Sequence, residues 1–185
     1  MKIAFIVFDE MTTLDFVGVY DAVRRLKTMG FIEDFAWDIC ARASLISDHS
    51  GLLIVPNKAG ASLADYDMVI VPGGYGTRDL VNDREFMNWM RTAAPCKWKV
   101  SVCTGSVLLG AAGFLEGRRA TTHPSAFDEL RPYCAEVIDE RIVDEGDVIT
   151  ARGVTSAIDL GLYLCEKLAG TDAKERIRRQ MDYEH

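Results

Sequence analysis

The 185-residue chain has 49% hydrophobic and 26% charged residues and a formal net charge of −7. These values fit one globular domain, residues 1–185, large enough to bury a core. They exclude a generic nucleic-acid surface, and no apolar run approaches the length of a membrane span. The pairs Arg24-Arg25 and Arg118-Arg119 and the run Arg176 to Arg179 read as helix-surface charges that need no partner. Five widely spaced cysteines (Cys40, Cys96, Cys103, Cys134 and Cys165) include no C-x-x-C pair, so neither a disulfide framework nor a zinc site is indicated.

Ile3 to Phe8 is a short apolar run that reads as a first buried strand. It lacks the cleavage region of a signal peptide, so a cytoplasmic protein is expected. Phe16, Val19, Val23 and Leu26 recur at helical spacing, predicting a helix that ends near Gly30. Phe35 to Ala41 is the next strand, Leu45 to Val55 a hairpin-like stretch of edge strands, and Asp67 to Val71 a central strand ending in Pro72-Gly73-Gly74. Asp83 to Ala94 reads as a helix, Trp98 to Val102 as a strand, and the small-residue run from Val107 to Gly113 as a tightly packed helix. Arg119 to Thr122 is extended and Ser125 to Leu130 helical. Strands follow at Ala135 to Ile138, Arg141 to Val143 and Val148 to Ala151, then helices from Ser156 to Leu168 and from Asp172 to about Tyr183. This alternation predicts an α/β fold, a mostly parallel central sheet with helices on both faces.

Ser101-Val102-Cys103-Thr104-Gly105-Ser106 places one cysteine between a buried strand and a helix. A sharp turn there exposes the sulfur to the helix N-terminus, which favours negative charge and is expected to lower the thiol pKa. The competing reading is a buried structural cysteine. Gly73-Gly74-Tyr75-Gly76 lacks the third glycine of a dinucleotide fingerprint, and Ala111 stands where a phosphate loop needs lysine. Glycines at a strand end let backbone N–H groups approach a reacting atom, so the amides of Gly74 and Thr104 are candidates for an anion hole, against a plain turn. Asp15, between Leu14 and Phe16, is either a desolvated proton donor and acceptor or, favoured on spacing alone, a helix cap. His49 lies in a polar loop and His185 is the last residue, which leaves His123, before Pro124, as the histidine that a strand-to-helix corner can bring near the sulfur.

Leu14-Asp15-Phe16-Val17-Gly18, Val71-Pro72-Gly73-Gly74, Ser101 to Ser106 and Gly117-Arg118-Arg119-Ala120-Thr121-Thr122-His123 together resemble the ThiJ/PfpI superfamily of class I glutamine amidotransferase-like proteins. Within it the chain resembles the isocyanide hydratase branch, whose members add water to R–N≡C to give an N-substituted formamide. The resemblance implies a flavodoxin-like three-layer sandwich with Cys103 as a nucleophile-elbow cysteine and Asp15 as the acid beside it. Thr104 then follows the nucleophile where the protease-like branch has a histidine. It also implies a small-molecule substrate, a homodimer, no metal and no organic cofactor. Gly73, Phe16, Val17 and His123 are expected near the pocket. His123 with Pro124 departs from the hydratases, where an aromatic residue commonly follows. Two alternatives share the same thiol: another cysteine-dependent enzyme, an amidase or glyoxalase, and a non-catalytic redox sensor in which Asp15 holds an oxidised Cys103.

Overall fold

The computed structural model describes residues 1–184; His185 lies outside them. In chain order the elements are β1 (Lys2–Ile6), α1 (Thr13–Val23), α2 (Arg25–Thr28), β2 (Ala36–Ala41), β3 (Ile46–Ser47), β4 (Leu53–Ile54), β5 (Lys58–Ala59), β6 (Met68–Val71), α3 (Thr77–Leu80) and α4 (Arg84–Arg91). The second half comprises β7 (Trp98–Val102), α5 (Gly105–Ala111), β8 (Arg119–Ala120), α6 (Phe127–Leu130), β9 (Glu136–Val137), β10 (Ile142–Asp144), β11 (Val148–Ala151) and α7 (Ser156–Gln180). A 3₁₀ turn at Pro124–Ala126 precedes α6 and another at Arg131–Tyr133 follows it.

Seven strands form one sheet in the order β10-β11-β7-β6-β1-β2-β5. Every pairing in it is parallel except β10 with β11. Parallel strands need crossovers, and the helices that make them cover both faces, so the central strands are buried almost throughout. Ile3, Val69, Val100 and Ile149, on four different strands, are fully buried in the common core. The chain places β2 on one side of β1 and β6 on the other, so its direction of growth reverses at the β1/β6 boundary. Open α/β sheets bind ligands at the carboxyl ends of strands beside such a reversal, and the loops after β1, β6 and β7 meet there.

The expected hairpin is the antiparallel pair β3 and β4. The helix expected to run to Gly30 is divided at Arg24 into α1 and α2. The two C-terminal helices are continuous in α7, except that Gly170 takes φ 85° and ψ 172°, values only glycine adopts without strain, and so kinks it. β5 and α3 were not anticipated.

Candidate active site

Cys103 follows β7 and precedes α5, with φ 55° in the left-handed region. For a non-glycine residue that conformation costs about 1–3 kcal/mol and persists only where neighbours hold it. Here the Cys103 N–H donates to the Ala151 carbonyl at 3.0 Å. Its carbonyl accepts the hydroxyls of Thr122 at 2.9 Å and Ser106 at 3.1 Å. Strand pairing with β11 and two side chains thus fix the elbow.

Asp15 is in the first turn of α1, where Thr12 is the N-cap and no side chain makes a cap bond. The cap reading of Asp15 is therefore wrong: its side chain turns inward, fully buried, and Oδ2 accepts the Gly73 N–H at 3.0 Å. The other oxygen, Oδ1, is buried without an N–H or O–H partner. The carboxyl is within interaction range of the Cys103 thiol, at a geometry short of a well-formed hydrogen bond. Burial pushes Asp15 up from 3.8 to about 7, outweighing the opposing Gly73 and Cys103 interactions.

The thiol departs from expectation. Burial and the nearby Asp15 carboxylate push Cys103 up from 9.0 to about 12, and the stabilising contacts of the Thr104 amide and hydroxyl do not offset them. Desolvation disfavours a thiolate more than one helix turn favours it. Because both groups are raised, the pair holds at least one proton at neutral pH, on sulfur when the carboxyl is ionised.

Gly73 lets these groups meet. A Cβ there would stand 2.5 Å from the Thr104 nitrogen and 2.8 Å from the Cys103 Cβ, closer than real atoms approach. The expected anion hole is altered: the Gly74 N–H donates to Thr104 Oγ1 at 3.0 Å and is not free to point at a substrate. The Thr104 hydroxyl lies 3.2 Å from the Gly74 carbonyl and also contacts the sulfur. Its single hydrogen can serve either acceptor, leaving Thr104 the principal donor beside Cys103.

Cys103, Thr104 and Gly74 border an open cleft of about 170 Å³ together with His123. Thr12, Tyr75, Arg78, Ser125 and Val154 complete its lining and were missed by sequence reasoning. Tyr75 lies in the loop after β6 and Arg78 in α3 just beyond it, and the strand-end rule is the signal that points to them. The His123 Nδ1 accepts the Ser125 N–H at 3.3 Å and pairs with the Ser125 hydroxyl at 2.8 Å. Both contacts stay within the His123–Ser125 turn, and no hydrogen bond joins the ring to Cys103. Gly73 lies behind the cleft. Phe16 and Val17 are also outside it: Phe16 is buried against Phe5 and Tyr20, and Val17 borders a separate surface groove beside Tyr20, Trp37 and Ile158. Residues on successive positions of a helix point in different directions, and α1 turns Asp15 alone toward the sulfur. Among the described residues no group of three His, Cys, Asp or Glu side chains is arranged to hold a metal ion.

Residues 1–167 match the DJ-1/PfpI family. The chain belongs to that family. Among its DJ-1/PfpI relatives, an isonitrile hydratase of Pseudomonas putida is 33% identical over 184 residues, covering 99% of this chain and 78% of that protein. A ThiJ/PfpI family protein of Pseudomonas syringae has a solved structure that superposes with a TM-score of 0.90 at 32% identity, covering 100% of this chain and 75% of that one. Drosophila melanogaster DJ-1beta shares the fold, with a TM-score of 0.82 at 20% identity, covering 100% of this chain and 98% of that one.

Proposed function

We propose that this DJ-1/PfpI protein is an isocyanide hydratase-like enzyme, a hydro-lyase with Cys103 as nucleophile and Asp15 as its proton partner. The observation that carries the reading is the pairing of a cleft-lining thiol with a fully buried carboxyl whose pKa, about 7, suits giving and taking a proton. The identity to an isonitrile hydratase supports it.

In the first step the Asp15 carboxylate takes the thiol proton as sulfur bonds to the terminal carbon of R–N≡C. Asp15 returns that proton to the same carbon, giving the thioimidate R–N=CH–S–Cys103. Water then adds to the carbon with Asp15 accepting its proton. One hydrogen of the water ends on nitrogen and the other on the departing sulfur, releasing R–NH–CHO and free Cys103. Thr104 steadies the sulfur as its charge develops, through its N–H and, on rotation away from the Gly74 carbonyl, its hydroxyl. Proton transfer inside the pair avoids a free thiolate in the resting site, which burial disfavours.

All five cysteines are free, which fits a reducing cytoplasm. Leu14 and Val17, 39% and 37% exposed on α1, form an apolar face with Trp37 and Ile158 that a second copy of the chain would cover as a homodimer.

The test is turnover of an alkyl isocyanide, a p-nitroanilide and methylglyoxal by the wild type, Cys103→Ala and Asp15→Asn. Hydration of the isocyanide alone is expected, abolished in Cys103→Ala and reduced by at least ~100-fold in Asp15→Asn. Near-normal turnover by Asp15→Asn would remove the carboxyl from the chemistry. Hydrolysis of the anilide or consumption of methylglyoxal with the isocyanide untouched would replace the reading with an amidase or glyoxalase.

A further inference from the structure

The cleft is lined by hydrogen-bond donors and one cation, with no carboxylate on its wall. Arg78 borders it together with Thr12, Ser125 and His123, whose Nδ1 faces the Ser125 N–H. Asp15, the carboxyl nearest the sulfur, is fully buried and does not line the cleft. Arg78 is held from two sides. Its Nη2 pairs with Glu129 at 2.9 Å, and its guanidinium lies 5.9 Å from the Tyr75 ring centroid. Tyr75 in turn packs against His49 with ring centroids 4.7 Å apart, and His49 Nδ1 pairs with Glu10 at 3.0 Å. These contacts use one guanidinium nitrogen, so Arg78 retains Nε and Nη1 donors for a ligand.

We propose that Arg78 selects substrates bearing a carboxylate a few bonds from the carbon that Cys103 attacks. This deepens the hydration reading and rests on it for the identity of the reacting group. An isocyanide drawn from an amino acid, with its carboxylate intact, has that chemistry and is small enough for a cleft of about 170 Å³. The guanidinium donates to the carboxylate from Nε or Nη1, and the Thr12 hydroxyl serves one of its remaining lone pairs.

Two measurements test this. The first needs no isocyanide: the rate of Cys103 alkylation by iodoacetate divided by that by iodoacetamide, in the wild type, Arg78→Met and Arg78→Lys. The ratio cancels any general change in thiol reactivity, and melting curves report whether the variants fold. The ratio is expected to fall roughly fivefold in Arg78→Met, the size of one partly exposed charge interaction, and to be largely retained in Arg78→Lys. In the wild type it should shrink in high salt. The second is kcat/KM for isocyanoacetate relative to its methyl ester, with the same expected pattern. An alkylation ratio unchanged by Arg78→Met overturns the proposal, even if isocyanides are hydrated. A ratio that falls in a protein that hydrates no isocyanide upholds the role of Arg78 and overturns the hydration reading alone.

Discussion

The buried carboxyl of Asp15 has a cost that pH exposes. Its folded pKa of about 7 is above the ordinary 3.8, so between these values the folded state keeps a proton that the unfolded state has lost. Asp15 therefore lowers stability progressively as pH rises from about 4 to about 7, and the loss persists above that. In Asp15→Asn this cost disappears. The variant's stability relative to wild type should rise across that interval, by up to about 4 kcal/mol less the value of any weakened Gly73 bond. Urea unfolding of both proteins at about pH 5 and about pH 8 measures it, and a difference independent of pH would contradict the buried carboxyl. After burial, the Asp15 charge is the next cause that holds the Cys103 thiol protonated, and the same substitution removes it. The pH profile of Cys103 alkylation should therefore shift to lower pH in Asp15→Asn even as hydration fails, separating thiol acidity from catalysis. Sequence identified both residues but not the direction of their coupling. Asp15 meets Gly73 across 58 positions, and desolvation depends on what the fold places around a group, which local spacing does not record.

The elbow between β7 and α5 depends on contacts from distant segments. Thr122→Val keeps the shape of the side chain and removes its hydrogen bond to the Cys103 carbonyl. A loss of about 1–2 kcal/mol is expected, with a fall in kcat larger than the change in KM because the sulfur is less well held. Thermal unfolding and steady-state kinetics together check this. In α7, Gly170→Ala places a Cβ on a backbone with φ 85° and ψ 172°. It should destabilise by about 1–3 kcal/mol unless the helix straightens, which circular dichroism would reveal as added helicity. The strand Trp98 to Val102 was legible to the residue because Trp98, Val100 and Val102 alternate with Lys99 and Ser101 at the period of a strand, and the gap between Leu168 and Asp172 marked the kink. By contrast, β5 is two exposed residues, Lys58 and Ala59, that pair with β2 only because the sheet edge is there. No periodicity exists in two residues. α3 is a single turn in a glycine-rich loop and escaped for the same reason. The assignment of Phe16 and Val17 to the pocket failed because adjacency to Asp15 in sequence is not adjacency on a helix face.

At the scale of the molecule, the apolar face of α1 leads to a measurement of mass. Val17→Glu puts a charge among Leu14, Trp37 and Ile158. Wild type should elute as a dimer and the variant as a monomer in size-exclusion chromatography with light scattering; a wild type that runs as a monomer at high concentration would set the homodimer aside. The cleft and elbow themselves draw on segments near residues 12–15, 73–75, 103–104, 122–123 and 154, brought together by parallel pairings between strands far apart in the chain. Such long-range pairings form slowly, because each must first close a long loop. A newly synthesised chain can therefore acquire much of its helix content before any two walls of the cleft are in place. On the proposed hydratase reading, appearance of activity would be a clock for the final stage of folding, lagging behind the recovery of helical signal during refolding.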